Sequence, residues 1–234
     1  EVIHHAGGVI GGNSQMIKVP GAKLDISIGV NRADVSGVAL ALKVIDACVG
    51  GLAPRFEKKE YEKRTGTFVS SVDGRVVVLS VADDKQLMSV DGGAPTPVSP
   101  DAEGIMHLPE AAAFLQQHIR VDGNSLVFSD FGNEDVLGEV GTDNDAKLRD
   151  RAGTYRSNAL DATFALVEDD GGARGLMHGR HGWSDYNLTP ITADIWRIEQ
   201  TVFAAVSGIL TFSADGKSLQ LDFGRMRHVR FAKA

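Results

Sequence analysis

The chain has 234 residues, 43% hydrophobic and 24% charged, with a formal net charge of −7; this is globular composition, sufficient to bury a core, on a length prior of one or two domains. No apolar run approaches the roughly eighteen residues of a membrane span, no cleavable leader is evident, and the acidic balance argues against a nucleic-acid partner. The single cysteine, Cys48, rules out an intramolecular disulfide and leaves the compartment open, with the cytoplasm favoured.

The chain opens with Glu1 and reads as a piece of a longer or processed polypeptide. Its first 56 residues spell strand, turn, strand, helix. Ser14 to Val19 ends at the turn signal Pro20-Gly21, and Leu24 to Val30 follows with alternating apolar residues, so the pair predicts a β-hairpin. Asp34 or Ser36 is placed to cap a helix in which Val38, Leu42, Ile45 and Val49 recur at helical spacing, and Gly50-Gly51 ends it. Cys48 falls on that helix beside Val44, Ile45 and Val49 and reads as a small buried hydrophobe. Two strands and one helix are too little for an independent core, so the segment should be the tail of a larger α/β layer or should dock on the rest of the chain. Pro54 to Arg64 reads as a polar linker.

A repeat organises the remainder. Arg64-Thr65-Gly66-Thr67-Phe68 returns as Arg151-Ala152-Gly153-Thr154-Tyr155, and Asp122-Gly123-Asn124-Ser125-Leu126 returns as Asp215-Gly216-Lys217-Ser218-Leu219. Each copy soon reaches Asp-Phe-Gly, at 130–132 and 222–224. These matches place one module at 61–146 and a second at 151–234. Short β-branched runs such as Val76 to Val81, separated by Asp-Gly and Gly-Gly turns, predict antiparallel meanders. Closure into small barrels would remove their unpaired edges. Pro109 to Gln116 reads as a helix-like interruption, matched by the more apolar Thr201 to Val206, and the basic run Arg225 to Arg230 reads as a solvated strand face.

The chemistry is sparse. His4-His5-Ala6-Gly7-Gly8 is a glycine-rich strand whose backbone, free of Cβ hindrance, can approach an acyl group and aim an amide N–H at a developing oxyanion, while His5 lines the same wall. A strand bulge or barrel corner is the structural alternative. In the second module, His178-Gly179-Arg180-His181 with Asp185 contains metal-ligand residue types, but the intervening glycine and the lack of an ordering helix favour surface histidines. No metal and no cofactor are expected.

The order His5-Ala6-Gly7-Gly8-Val9-Ile10-Gly11-Gly12-Asn13-Ser14, the Val19-Pro20 turn, the strand Leu24 to Asn31-Arg32 and the helix Ala39 to Asp46 resembles the C-terminal strand-strand-helix of serine hydrolases related to penicillin-binding proteins and class C β-lactamases. With two barrel modules behind it, the arrangement resembles the D-aminopeptidase branch. The resemblance implies a mainly β chain: 1–56, the end of a β-lactamase-like α/β domain, then two antiparallel, lipocalin-like barrels of about eight strands each. It puts His5 and Gly7 on the His-x-Gly motif and the Gly8 N–H at one oxyanion donor; His4 is an alternative only if the motif is shifted. The family's Ser-x-x-Lys and Tyr-x-Asn motifs have no place in this chain and would lie upstream, so the serine, lysine and tyrosine that make and break the acyl bond would come from an upstream hydrolase domain. Ala6 stands where the family has a hydroxyl residue that helps bind a substrate carboxylate, which implies a preference for peptides or amino acid amides attacked at the amino end. In the family a loop of the last barrel reaches the site mouth, and either Glu168 to Gly175 or His178 to Trp196 would serve, with Asp169, Asp170 or Asp185 meeting a substrate ammonium. A homodimer is left open; no nucleic-acid or membrane partner is expected. The competing reading is a non-catalytic tandem-barrel protein that binds ligands or acts as a scaffold.

Overall fold

The computed structural model describes residues 2–9, 11–32, 35–51, 60–109, 116–201, 206–223 and 226–234. Most of the 54–64 linker, most of the 109–116 interruption and of its 201–206 counterpart, Asp34 and Arg225 therefore lie outside the described residues. The chain divides into two compact units, one of Glu1–Glu62, Pro97–Arg120 and Phe128–Glu134, the other of Lys63–Thr96, Val121–Val127 and Asp135–Ala234.

The N-terminal segment forms a three-stranded antiparallel sheet, β1 (Ile3–Val9), β2 (Gly12–Val19) and β3 (Leu24–Val30), with β2 in the centre and β1 at an edge. The expected hairpin is β2–β3, turned by a short 3-10 segment at Pro20–Ala22. Lys23 completes that turn in the left-handed region, at φ 52°. One helix, α1 (Gly37–Cys48), covers one face of the sheet. Ser36 caps it, its hydroxyl accepting from the Ala39 N–H at 3.2 Å. Ile17 and Ile26 from the strands meet Ala41 and Ile45 from the helix, with Leu42 and Val49 packed at the margin. Cys48 corrects the sequence reading: it is exposed. The buried stripe runs Gly37, Ala41, Ile45 and fades in the last turn, so a position in phase with the stripe gains no cover there.

The first module contributes β4 (Gly66–Ser70), β5 (Val76–Ala82), β6 (Lys85–Val90), β7 (Thr96–Pro97), β8 (Ser99–Pro100), β9 (Met106–His107), β10 (Gln117–Asp122), β11 (Ser125–Asp130) and β12 (Asn133–Val140). They form one sheet in the order β7-β6-β5-β4-β12-β11-β10-β9-β8, so the first long strand lies beside the last, and the sheet is unjoined only between β7 and β8, two of its three two-residue strands. The second module is a closed antiparallel barrel of eight strands: β13 (Gly153–Ser157), β14 (Ala162–Asp169), β15 (Gly172–Gly179), β16 (Gly182–Pro190), β17 (Ile195–Gln200), β18 (Ser207–Phe212), β19 (Ser218–Phe223) and β20 (Met226–Lys233). The expected all-antiparallel barrels are present, one closed and one nearly so.

The repeated peptides have a spatial reason to recur together. In each copy Arg-x-Gly-Thr-aromatic opens the first barrel strand and buries its ring, Phe68 or Tyr155, in the interior. In the first, Arg64 Nη1 donates to the carbonyl of Gly123, the glycine of the repeated Asp-Gly turn, at 2.5 Å. In the second, Arg151 lies against the corresponding Gly216, whose carbonyl also receives the Tyr155 hydroxyl at 3.2 Å. Gly123 and Gly216 hold φ of 59° and 66°, the left-handed conformation that such two-residue turns demand and that glycine adopts without strain. The two repeated peptides are thus two sides of one contact.

The interior of the closed barrel is filled. Leu148, Tyr155, Phe164, Leu166, Tyr186, Leu188, Trp196, Ile198, Leu210, Phe212, Leu219, Leu221 and Phe231 form one buried cluster. The Phe164 ring sits edge-on to Tyr186 at 5.8 Å and tilted against Phe231 at 6.1 Å.

Within the second unit, the turn after β6 meets the barrel through an ionic cluster. Arg227 pairs with Asp91, with Asp73 at 3.6 Å and with Asp222 at 3.9 Å, while Arg75 stands 3.7 Å from Asp91. Next to it Arg197 Nε donates to the Gly92 carbonyl at 3.0 Å. The basic run 225–230 therefore does not present a uniformly solvated face: Arg227 is only 19% exposed, because three carboxylates converge on it.

Candidate functional site

β1 carries the sequence-predicted residues. Its partner register is His5 with Met16, Gly7 with Ser14 and Gly8 with Asn13. Strand alternation sorts the two histidines. His4 is opposite Ile17, which is buried under α1, so it shares the helix-covered face; His5 is opposite the exposed Met16, so it lies on the uncovered face.

An open cleft of about 620 Å³ lies at one end of this sheet, lined by Gly7, Gly8, Gly11, Gly12, Asn13, Ser14, Gly29, Val30 and Asn31. The structure thus brings Gly7 and Gly8 to one cleft and leaves His5 outside its lining. The two glycines differ in what holds them. A Cβ on Gly7 would lie 2.8 Å from Ser14 Oγ, a contact that a serine rotamer change relieves, whereas a Cβ on Gly8 would meet nothing within 4 Å. Gly8 is consequently not demanded by packing inside the described chain.

The lining has no ionisable side chain. What it offers is backbone and amide hydrogen-bonding groups along an edge strand whose outer side is unpaired in this sheet. That can orient and polarise a bound carbonyl, but the one hydroxyl in the lining, Ser14, has no base in the lining to activate it as a nucleophile.

Sequence reasoning missed the residues that position the cleft. Asn13 ties β2 to the helix: its Nδ2 donates to the Val35 carbonyl at 2.7 Å and the Arg32 carbonyl at 3.2 Å, and its Oδ1 accepts from the Gly37 N–H at 2.9 Å. Gly37 is required by that approach, since a Cβ there would stand 2.7 Å from Asn13 Oδ1. Gln15, 1% exposed, donates Nε2 to the Met16 carbonyl at 3.1 Å, and its Oε1 finds no partner among the described residues. A glycine opening a helix and an asparagine two dozen residues before it are the only sequence marks of this tie.

The two stretches considered in the second module are hairpins rather than loops. Glu168 to Gly175 is the end of β14, a tight turn at Asp170-Gly171 and the start of β15; His178 to Trp196 runs from the end of β15 through β16 into β17. Asp169 is held below the ordinary carboxylate value by the Arg174 guanidinium and the Gly171 N–H. It is already engaged, and so poorly placed to seek a ligand ammonium. Among the described residues no three His, Cys, Asp or Glu side chains converge as a metal site would require.

A separate histidine pair lies in the first unit: His107 Nε2 meets Asp101 Oδ2 at 2.8 Å and the His107 ring faces His118 at 5.5 Å. Asp101 also accepts from the Glu103 and Ile105 N–H groups, which makes it the organiser of its own turn. Burial opposes, but these bonds and His107 hold its carboxyl below the ordinary value.

No protein-family model matches the chain, and no curated protein sequence is similar to it. No described helix is long and apolar enough to cross a membrane. The fold and cleft define a mainly β protein of two antiparallel barrel modules, one closed and one nearly closed, with a small strand-and-helix layer.

Proposed function

We propose that β1, β2, β3 and α1 form one wall of the active site of a serine hydrolase resembling D-aminopeptidase, releasing N-terminal D-amino acids from peptides or amides through an acyl-enzyme, with the barrel modules restricting which substrates are admitted. The observation that carries the reading is the edge strand itself: two glycines line an open cleft, one of them without any packing reason, beside hydrogen-bonding groups and with no base in the lining to activate a nucleophile. In this reading Gly8 donates its N–H to the oxyanion, Gly7 clears the approach, and His5 stands at the rim where the strand leaves the cleft. Serine, lysine and tyrosine come from polypeptide preceding Glu1. Ala6 leaves a free substrate carboxylate without a hydroxyl partner, which favours amides and peptide amino ends.

The scaffold or ligand-binding alternative has no room inside the closed barrel, whose interior is occupied by its own aromatic and aliphatic side chains, and would use the barrel's mouth or outer surface. The discriminating test starts from the coding sequence upstream of Glu1, where Ser-x-x-Lys and Tyr-x-Asn are expected. The full-length product should be acylated by a penicillin-like probe and the present chain should not. Gly8→Val in the full-length protein keeps the N–H but sets a branched side chain beside it, so it should slow acylation by about 10²-fold, the scale of a carbonyl kept out of reach of its oxyanion donor, while leaving the fold of the strand intact. Labelling of the present chain alone, or carboxypeptidase activity exceeding activity on D-amino acid amides, would overturn the proposal.

A further inference from the structure

We infer that one end of the closed barrel is a binding site for a small carboxylate with an aromatic or aliphatic body. The β13–β14 and β15–β16 turns enclose a cleft of about 610 Å³, which is the size of a small-molecule site and has the usual position of one, at a barrel mouth. Its floor is apolar, made by Ala162 and Met177 at the top of the packed interior. Gly179 keeps it open: a Cβ there would already touch the Ala162 methyl at 3.4 Å.

Its wall is Trp183, and here the contrast between the two tryptophans is informative. Trp196 is 1% exposed in the core, whereas Trp183 is 67% exposed beside Leu160, itself 38% exposed. Leaving an indole and an isobutyl group in water at a concave surface forgoes burial that a ligand would restore.

The charge around the mouth selects the ligand's sign. Arg180 and His181 form the β15–β16 turn, both exposed, and neither makes a hydrogen bond or ion pair with a described residue. The only carboxylate in the lining, Asp161, is already held by Arg156 at 3.0 Å. On a chain of net charge −7 this end therefore presents an uncommitted guanidinium, Arg180, with the His181 imidazole beside it. A guanidinium fork binds a carboxylate bidentately, so the arrangement places the anion at Arg180 and the ligand's body on Trp183 and over the floor.

The test is isothermal titration calorimetry of the intact chain with N-acetyl-L-phenylalanine as probe and its neutral amide as control. The carboxylate should bind saturably at one site, the amide about tenfold more weakly, and raised salt should weaken only the former. Arg180→Gln should bring carboxylate affinity down to the amide's. Trp183→Ala should weaken both compounds. Both positions are exposed, so the variants should fold, and an unchanged emission maximum from the buried Trp196 verifies this for Arg180→Gln. Absence of saturable binding, equal affinity for acid and amide, or indifference to Arg180→Gln would overturn the inference. Preferential binding of an uncharged sugar over the carboxylate would also overturn it.

Discussion

Gly175→Ala tests whether the closed barrel is solid. Gly175 lies on β15 facing inward, and a Cβ built there would stand 2.5 Å from Phe164 Cζ, 2.6 Å from Cε2 and 3.2 Å from Leu188 Cδ1. Ordinary contact needs at least 3.4 Å, so the ring must retreat by about 1 Å. It has nowhere to go: Phe164 is 0% exposed, with Tyr186 and Phe231 against it. Overpacking of this kind costs typically 1–3 kcal/mol. Gly175 has no positive φ, so alanine also restricts the unfolded chain and returns about 0.4–1 kcal/mol. The net expectation is a loss of about 1–2 kcal/mol. Phe164→Leu alone should cost about 1–2 kcal/mol by leaving a void. Combined with Gly175→Ala it should cost less than the sum, because the new methyl occupies space the ring vacated. Urea titrations followed by tryptophan emission, which Trp196 in this core reports, give the four midpoints of the cycle. A Gly175→Ala variant as stable as its parent, or strictly additive effects, would refute the filled interior and restore a lumen to the barrel.

Gly92→Ala should loosen the ionic contact between the turn after β6 and the barrel, because its φ of 75° disfavours alanine and a Cβ would lie 2.6 Å from the Gly208 carbonyl oxygen; faster amide hydrogen exchange at Gly208 and Arg227 is the readout. Asn13→Ala should destabilise the N-terminal layer by about 1–3 kcal/mol by orphaning the Gly37 N–H and the Val35 carbonyl, seen as lost exchange protection at the start of α1. Acid should act on the ionic cluster with opposite signs at two carboxylates. Burial pushes both up, but at Asp73 the Arg75 N–H, the Arg227 and Arg75 charges and Ser70 win and hold it below its ordinary 3.8, whereas burial wins at Asp91 and leaves it above 3.8. Asp73 thus contributes stability above about pH 4 that is lost as pH falls through its folded value, and Asp91 recovers stability over the same descent. Asp73→Asn should therefore flatten the fall in urea midpoint between pH 5 and pH 3, and Asp91→Asn should steepen it; the reverse pattern would refute the assignment.

Local rules made much of this molecule legible. The Pro20-Gly21 turn, the Ser36 cap and the Asp-Gly turns at 122–123 and 215–216 each act over a few residues, so the peptide itself announces them. The two repeated peptides announced a shared architecture because they touch each other in each module. The rest depends on partners distant in sequence. Arg227 looked like one of several surface arginines, and only the arrival of Asp73 and Asp91 from the first module makes it a partly buried, multiply paired ion. Cys48 followed the helical period faithfully but fell where the sheet no longer covers the stripe. At the site, the glycines were legible as a place of close approach, while Asn13, which fixes where the cleft's floor meets the helix, bonds to residues about twenty positions away.

In each module the first long strand lies beside the last: β4 pairs with β12, and β13 pairs with β20, Tyr155 opposite Lys233. Neither ring can close while its final strand is absent, so the earlier strands wait with a full complement of unpaired hydrogen-bonding groups on two edges. Such non-local closure makes folding slow, on the order of milliseconds to seconds, and it makes each half-built module a sticky template for its neighbour's strands. The shared opening strands raise that hazard, since Gly66–Ser70 and Gly153–Ser157 both read Gly-Thr-aromatic-x-Ser and offer either closing strand much the same edge. Exchange of closing strands between modules, or between two chains, is accordingly the misfolding route to which this architecture is most exposed.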